Sequence, residues 1–568
     1  MAEPFIGSRA RFLAVIVGFT GLVFLARLFQ LQVIKGSYFN DLAGSQYSAS
    51  RLYGMYDRGT IFLDDRSGRQ LTIAGLSSGY TLAINPKLII NPTELYDKLV
   101  MLIPELDKDT FIAKASDTDD PYEEILHKLN ESIVNKLKIL QLKGVLLVKE
   151  RWRSYPGESL AAEVLGFVGW QDNVLSGRYG VEKYYDNILS REPSNVYQNF
   201  FSQIFSGATF NGVVSKGDVV LTIEPKVQAL VESKAMALIE KWGAKKAGIL
   251  VLDPKNGDII AMALSPTFNP NKYGEVSDIG VFKNSFVEDV FEMGSIMKPI
   301  TMASAIDAGV INNSTTYVDN GFVELDGRRI ENFDSKGRGR VDMQEVLNQS
   351  LNTGAVFAAL MLGPERFREY MYRFGFQDKT GIDLPGEGAN LVNNLESQKK
   401  IEIATASFGQ GIAVTPIAIA RALAALGNGG FLIKPRIVKR ITTELGYSDK
   451  LRVTEQGRAI SGKTSEEITH MLVKVVDEAL LGGKIKMDHY SIAAKTGTAQ
   501  IASPDGGYYT DRYLHSFFAY FPAYNPQFLV FIFLREPNNV RYASETLTLP
   551  FRDIAEYLLN YYEVLPDR

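Results

Sequence analysis

The sequence contains no cysteine. That excludes disulfides and thiolate metal sites, and it suits an exported chain that folds without oxidative chemistry. Histidine is scarce: there are four, His127, His470, His489 and His515, with no metal-ligand spacing among them. No zinc site is expected, and no other metal or cofactor. A basic excess is missing too. Lys+Arg number 61 against 65 Asp+Glu, the net charge is −4, and nothing points to nucleic acid. Apolar runs long enough for a membrane are confined to one place near the N-terminus. What is present is ordinary globular material, 568 residues that are 46% hydrophobic and 22% charged, enough for more than one domain.

After Arg9 and Arg11, residues 12–26 carry no charge; Arg27 interrupts, and apolar residues continue to Ile34. A spanning helix needs about 20 apolar residues, and an arginine near one end can snorkel to the interface. Residues 12–34 are therefore expected to form one uncleaved anchor. The rival is a signal peptide, but no clear small-x-small cleavage site follows the run. Arg9 and Arg11 favour a cytoplasmic tail over residues 1–11, although Arg27 and Lys35 stand towards the other end. No second span follows, so nearly the whole chain should lie on one side.

Residues 40–214 read as an α+β module. Residues 58–68 suggest strand, turn, strand, and residues 94–141 have a helical period broken at Pro121. No nucleophile–base pair stands out there, which suits a spacer or docking module. From Lys216 the texture changes. A strand at 218–223 precedes an amphipathic helix at 227–242. Two apolar strands, 247–252 and 258–263, are then joined by a turn holding Pro254 and Asn256-Gly257. This order suggests an α/β sandwich.

The chemistry centres on Ser295-Ile-Met-Lys298-Pro299. Proline is tolerated in the first turn of a helix, so Pro299 places the helix start close to Ser295. Residues three apart share a face, so Ser295 Oγ and Lys298 Nζ can meet. A serine needs a base to become a nucleophile, and a desolvated lysine has the lowered pKa to serve as one. A second Ser-x-x-Lys, Ser397 and Lys400, lies in a polar segment with nothing to set a helix start. Downstream, Ser350 and Asn352 form Ser-x-Asn. On a tight loop the hydroxyl can relay a proton and the amide can hold a carbonyl, although the same residues also suit a plain Asx turn. Lys-Thr-Gly occurs twice. At Lys379 it sits among turn residues; at Lys495, Thr496 and Gly497 it reads as a strand, continued by Thr498. Glycine within a strand marks close approach of another chain or a ligand, and an edge strand can take a peptide by strand addition. Lysine and threonine hydroxyls there would hold the peptide's carboxylate.

In that order, Ser295-x-x-Lys298, Ser350-x-Asn352 and Lys495-Thr496-Gly497 resemble the penicillin-binding proteins and serine β-lactamases. Residues 180–185, 379–387, 407–416 and 515–522 resemble the same family's segments, and with the anchor and the amino-terminal module the whole chain is similar to its monofunctional class B type. Met293 stands where that family often has proline. The resemblance implies a fold: an antiparallel sheet flanked by helices, an α/β (α+β) transpeptidase domain over 215–568, behind a pedestal or dimerisation domain over 40–214. It implies peptidoglycan cross-linking. Ser295 would attack the D-Ala–D-Ala amide of a stem peptide, Lys298 would take its proton, and Ser350 would relay it. The backbone N–H groups of Ser295 and Thr498 would hold the oxyanion, at about 3–4 kcal/mol per donor. Asn352, Lys495, Thr496, Gly497 and Thr498 would bind substrate. β-Lactams would acylate Ser295. Stem peptides, a membrane glycosyltransferase and division or elongation proteins would be partners, at the extracytoplasmic face of a bacterial inner membrane. Asn352 and residues 407–416 look more like the septal type than the elongation type.

Three other readings carry less. A carboxypeptidase or β-lactamase would use water in place of the amine. A β-lactam sensor or division scaffold would not need all three elements intact. Residues 457–464 fit the P-loop pattern Gly-x4-Gly-Lys-Thr, but residues 452–456 are too polar for the strand that should precede it. Glu466 and Glu467 would also sit beside any phosphate, so the segment reads as a capped helix start running to Leu480.

Overall fold

A computed structural model describes residues 8–30, 57–171, 174–191, 216–444 and 446–568. Helix α1 covers Ser8–Phe29. Its described apolar side chains, among them Val15, Phe19 and Leu22, are exposed. Arg27 stands in its last turn and bonds Gln30. Among the described residues no helix is long and apolar enough to cross a membrane. The span expected over 12–34 is therefore not seen as one: only part of it is described, and residues 31–34 lie outside the described residues, as do residues 1–7 of the expected tail and 40–56, 172–173 and 192–214 of the expected pedestal.

Strands β1 (Ile61–Asp64) and β2 (Gln70–Ile84) flank a turn in which Asp65 accepts hydrogen bonds from Ser67 Oγ and Arg69 N. The chain forms two compact units, and residues 77–152 belong to one of them. Within it the later half of β2 leads to α2 (Pro92–Val100), α3 (Lys108–Ser116), β3 (Glu123–Leu129), α4 (Glu131–Leu140) and β4 (Val145–Ser154). Asn91, Asp107 and Asn130 cap the three helices through their side chains. Leu82, Leu99, Phe111 and Val134 are buried together in this unit's core. The helical period expected over 94–141 is thus divided by β3, which begins just beyond Pro121. This strand is rich in charged residues and lacks a regular apolar alternation, and its pairing partner is distant in sequence, Leu126 opposite Leu82.

The other unit holds residues 58–76, 153–191 and 216–568 among those described. β5 (Gly217–Leu221) runs parallel to β1, with Ile61 opposite Val219. After α5 (Pro225–Trp242) come β6 (Lys246–Leu252) and β7 (Ile259–Ser265), antiparallel across the expected turn. They join β9 (Ala493–Ala502), β10 (Tyr508–Phe521) and β11 (Phe528–Arg535) in one antiparallel sheet of order β7-β6-β11-β10-β9, which leaves β9 at an edge; β8 (Val438–Thr443) pairs with β5 instead.

The apolar strands follow from burial on both faces. Ile249, Val251, Phe517 and Ile532 pack with Val231 of α5 and with Leu547 and Phe551 of the C-terminal helix. Their neighbours Leu250, Leu252, Phe518 and Phe531 pack into the other layer with Ile300, Ala303 and Ile419. The antiparallel sheet flanked by helices is therefore present.

The segment at 180–185 proves to be a packing device. Glu182 is wholly buried and accepts from Arg58 Nε and Arg153 Nε, both at 2.6 Å, and from Tyr155 OH at 3.2 Å. Burial favours its neutral form, but the Arg153 and Arg58 charges win and hold its carboxyl below the ordinary range. Glu163, also buried, has no cation hydrogen-bonded to it among the described residues, and the charge of Lys246 offsets its burial only weakly. Its Oε1 has no hydrogen-bond partner, and burial pushes its pKa up to about 8, with nearby Glu232 adding to the rise against a hydrogen bond from Thr267.

Candidate active site

The serine lies in a tight turn of 3₁₀ type, Gly294–Met297, which runs directly into helix α6, Lys298–Asp307, with Pro299 in its first turn. Ser295 is half-buried, and among the described residues its hydroxyl has no hydrogen-bond partner. Lys298 is buried, and its amine donates to the Ser350 carbonyl and, at 3.2 Å, to Ser350 Oγ. The pairing expected between Ser295 and Lys298 is thus replaced in this state by one between Lys298 and Ser350. A buried amine must be hydrogen-bonded, and Ser350 supplies a carbonyl. Burial pushes the Lys298 ammonium well below the ordinary lysine range, and the charge of Lys495 pushes the same way. Lys298 is therefore suited to act as a neutral amine.

Ser350 sits between α7 (Met343–Asn348) and α8 (Asn352–Leu362) with φ of +56°, a conformation that side chains other than glycine's and asparagine's seldom adopt. Such geometry costs on the order of 1–3 kcal/mol and persists where neighbours enforce it. Those neighbours are visible. Asn352 Nδ2 donates to the Glu331 carbonyl at 2.8 Å. The Thr353 hydroxyl donates to buried Asp319 at 2.8 Å, and Asp319 also accepts from Asn332 Nδ2 at 3.0 Å. The sequence reading missed this brace, because Asp319 and Asn332 reach the loop from segments remote along the chain.

On β9, Thr496 and Thr498 alternate with buried Lys495 and Gly497, so the two hydroxyls share a face. Burial brings Lys495 down to about 8. Gly497 has a specific reason. A Cβ there would stand 2.4 Å from Ser516 Oγ, 2.7 Å from the Met293 carbonyl and 3.1 Å from Ile296. The expected close approach at this glycine is made by the serine turn itself. Ser516 Oγ of β10 donates to that Met293 carbonyl at 2.8 Å. Behind the turn, Gly294 N donates to the Gly409 carbonyl at 3.1 Å, and a Cβ on Gly409 would strike the Gly294 carbonyl at 2.3 Å. The segment at 407–416 thus backs the turn that carries Ser295.

Ser295, Ser350, Asn352, Lys495, Thr496 and Thr498 line one cleft of about 460 Å³, with Lys298 buried beneath Ser350. Phe333, Gln410, Arg541 and Tyr542 line it as well, and sequence reasoning missed them. They stand on connecting segments, where only tertiary structure brings them to the cleft. A more open depression of about 560 Å³ at Lys463, Glu466 and His470 contains none of the three motifs.

The second Lys-Thr-Gly copy is a loop. The Glu387 carboxylate accepts from Thr380 Oγ1 at 2.6 Å and Gly381 N at 2.9 Å, while Asp383 accepts from Ile437 N and Val438 N. The P-loop pattern opens helix α9 (Gly462–Lys474), but Ser461 caps it and the Asp307 carboxylate accepts from Ser461 N and Thr464 Oγ1. A carboxylate already occupies the place a phosphate would need. Among the described residues, no group of three or more His, Cys, Asp or Glu side chains is placed to hold a metal ion.

The comparisons agree with this geometry. Residues 247–556 match the model of the penicillin binding protein transpeptidase domain, and residues 56–199 that of the penicillin-binding protein dimerisation domain. The chain is 31% identical over 557 residues to stage V sporulation protein D of Bacillus subtilis, covering 95% of this chain and 84% of that protein. It is 28% identical over 456 residues to peptidoglycan D,D-transpeptidase FtsI of Escherichia coli K12, covering 78% and 73%. Penicillin binding protein 3 of Mycobacterium tuberculosis, solved in complex with aztreonam, has the same fold, with a TM-score of 0.69 at 24% identity over 90% of this chain and 98% of that one. With a dimerisation domain ahead of a serine transpeptidase domain, the chain belongs to the class B penicillin-binding proteins of the septal type, the peptidoglycan D,D-transpeptidases.

Proposed function

We propose that this chain cross-links peptidoglycan stem peptides during division, with Ser295 as the nucleophile and Lys298 as its base. The observation that carries the reading is the buried amine of Lys298 held against Ser350 beneath a cleft that Ser295 lines. Ser295 Oγ attacks the carbonyl of the penultimate D-Ala, and its proton passes to Lys298. The backbone N–H groups of Ser295 and Thr498 hold the oxyanion. Ser350 hands the proton to the leaving D-Ala amine. An amine of a neighbouring stem then attacks the ester and restores Ser295. Asn352 holds the donor's backbone, while Lys495, Thr496 and Thr498, with Gly497 between them, hold its terminal carboxylate. β-Lactams acylate the same serine, a reading supported by the aztreonam complex of the Mycobacterium tuberculosis relative. Work at the septum, beside a membrane glycosyltransferase and division proteins, is supported by the likeness to FtsI.

Residues 12–34 anchor the chain in the cytoplasmic membrane, with residues 1–11 as a cytoplasmic tail. Residues 40–214 form a pedestal or dimerisation domain and residues 215–568 the catalytic domain, both outside that membrane. The exposed apolar side chains of α1 support the anchor. The chain lacking residues 1–36 should be recovered without detergent and should convert a D-Ala–D-Ala donor and an amine acceptor into dimers. Free D-Ala without dimers would make it a carboxypeptidase instead, and continued detergent dependence would remove the anchor.

The two Lys-Thr-Gly copies give a second test. Lys495→Ala should slow penicillin acylation by a charge-assisted contact's worth, roughly 1.5–3 kcal/mol or about 10–150-fold. Lys379→Ala should leave it near wild type, since Lys379 is exposed on its loop. Stopped-flow acylation rates in the opposite order would move the carboxylate site.

A further inference from the structure

We propose that Arg541 forms a second anion subsite of the cleft, which takes a carboxylate of the donor peptide upstream of its D-Ala–D-Ala end. The inference rests on the acyl-donor reading above and concerns which donor the cleft selects.

Two formally charged residues line the cleft, Lys495 and Arg541; both are cations, and no carboxylate faces them there. Lys495 is buried on the strand and is assigned to the terminal carboxylate. Arg541 is exposed at the cleft. No acidic side chain pairs with it among the described residues. Its Nη2 lies 3.5 Å from the Phe333 carbonyl, the outer limit of a hydrogen bond, and its guanidinium carbon 5.6 Å from the Tyr542 ring centre. A guanidinium has five N–H donors, so most of its fork is left to bind a carboxylate.

The backbone that carries Arg541 is fixed. Its carbonyl is 3.0 Å from His515 Nε2, and His515 Nδ1 is 2.8 Å from Thr546 Oγ1. A carbonyl can only accept, so Nε2 carries the proton and Nδ1 accepts from the threonine. Two residues on, Ala543 N donates to Thr498 Oγ1 at 3.1 Å, tying the loop to the strand that holds the donor. On the flank, Tyr542 meets Phe333 edge to face at 5.8 Å. The loop of Arg541 is thus held beside Thr498, three residues along β9 from Lys495, and a peptide lying along β9 would bring an upstream anion to it.

Stem peptides offer that anion from two sources. One is the side-chain carboxylate of a diamino-dicarboxylic acid just before D-Ala–D-Ala. The other is the free α-carboxylate of a γ-linked glutamate one residue earlier. Four synthetic donors, with each carboxylate free or amidated in all combinations, separate them. The readout is kcat/KM for D-Ala release by wild type, Arg541→Ala and Arg541→Lys, each checked for folding by its thermal melt. In wild type, amidating the carboxylate that is read should lower kcat/KM by about tenfold, mostly through KM. Arg541→Ala should treat free and amidated donors alike, and Arg541→Lys should restore part of the preference. Whichever amidation carries the effect names the source. An equal response to all four donors in wild type, or an amidation penalty that survives in Arg541→Ala, would overturn the subsite. No D-Ala release from any donor by wild type would overturn the acyl-donor reading itself, and this subsite with it.

Discussion

Ser295→Ala should abolish covalent labelling by a fluorescent penicillin and leave the melting temperature nearly unchanged. The hydroxyl is half-buried and without a hydrogen-bond partner among the described residues, so its removal orphans no buried group. Loss of a nucleophile that forms a covalent ester should cost roughly 10³-fold or more in acylation. Lys298→Ala should be comparably silent, because no histidine stands ready to replace it and Lys495 is assigned to the substrate carboxylate. His515 is buried, its pKa is pushed down to about 4 by burial, and both ring nitrogens are engaged, by Thr546 and by the Arg541 carbonyl. The lowered Lys298 pKa also has a pH signature. Acylation should persist well below the ordinary lysine range and fall only when that buried amine takes up a proton. Labelling of Ser295→Ala at full strength, followed by mapping of the labelled peptide, would place the nucleophile elsewhere.

Glu163→Gln should remove a loss of stability that wild type suffers as pH rises. The carboxyl titrates near 4.5 when unconstrained and at about 8 in the fold. Between those values the folded state keeps a proton that the unfolded chain releases, so folding is favoured less as pH increases. The stability is fully present below about 4.5 and is lost as pH climbs through 8. At 1.36 kcal/mol per pKa unit, the whole window is worth on the order of 3–5 kcal/mol. Urea melts of the two proteins should nearly coincide at about pH 5, and the variant should be the more stable at about pH 8.5. Glu232 is also raised by burial and titrates in the same sense, so the readout is the difference between the two proteins. Parallel stability curves across that range would show that Glu163 is not held neutral.

Much of this molecule was legible in its residues because the informative signals are local. Pro299 marked the start of α6, and the small residues on either side of Lys495 separated a strand from the loop at Lys379, whose Pro385 discouraged one. Asn256-Gly257 announced the turn between β6 and β7. What escaped is non-local. β3 hides behind its charged residues until β2 pairs with it. Ser350 gives no local sign of a left-handed backbone, since the cause is the set of bonds from Asn352 and Thr353 to Glu331 and Asp319. Glu163 sits in a plain apolar stretch, and only packing shows that a carboxyl there is buried with no cation hydrogen-bonded to it among the described residues. Arg541 reaches the cleft through a loop whose position depends on His515.

The edge position of β9 has a consequence for how much of a substrate can be recognised. The strand's register with β10 slips between Gln500 and Ala502, so regular ladder runs only from Ala493 to Gln500. Between Lys495 and that slip, an added strand could match about three residues, because successive backbone groups along an edge point alternately toward and away from the newcomer. A template so short reads the tail of a peptide and ignores what lies beyond it. The sugar polymer to which the peptide is attached would then lie outside the reach of this strand.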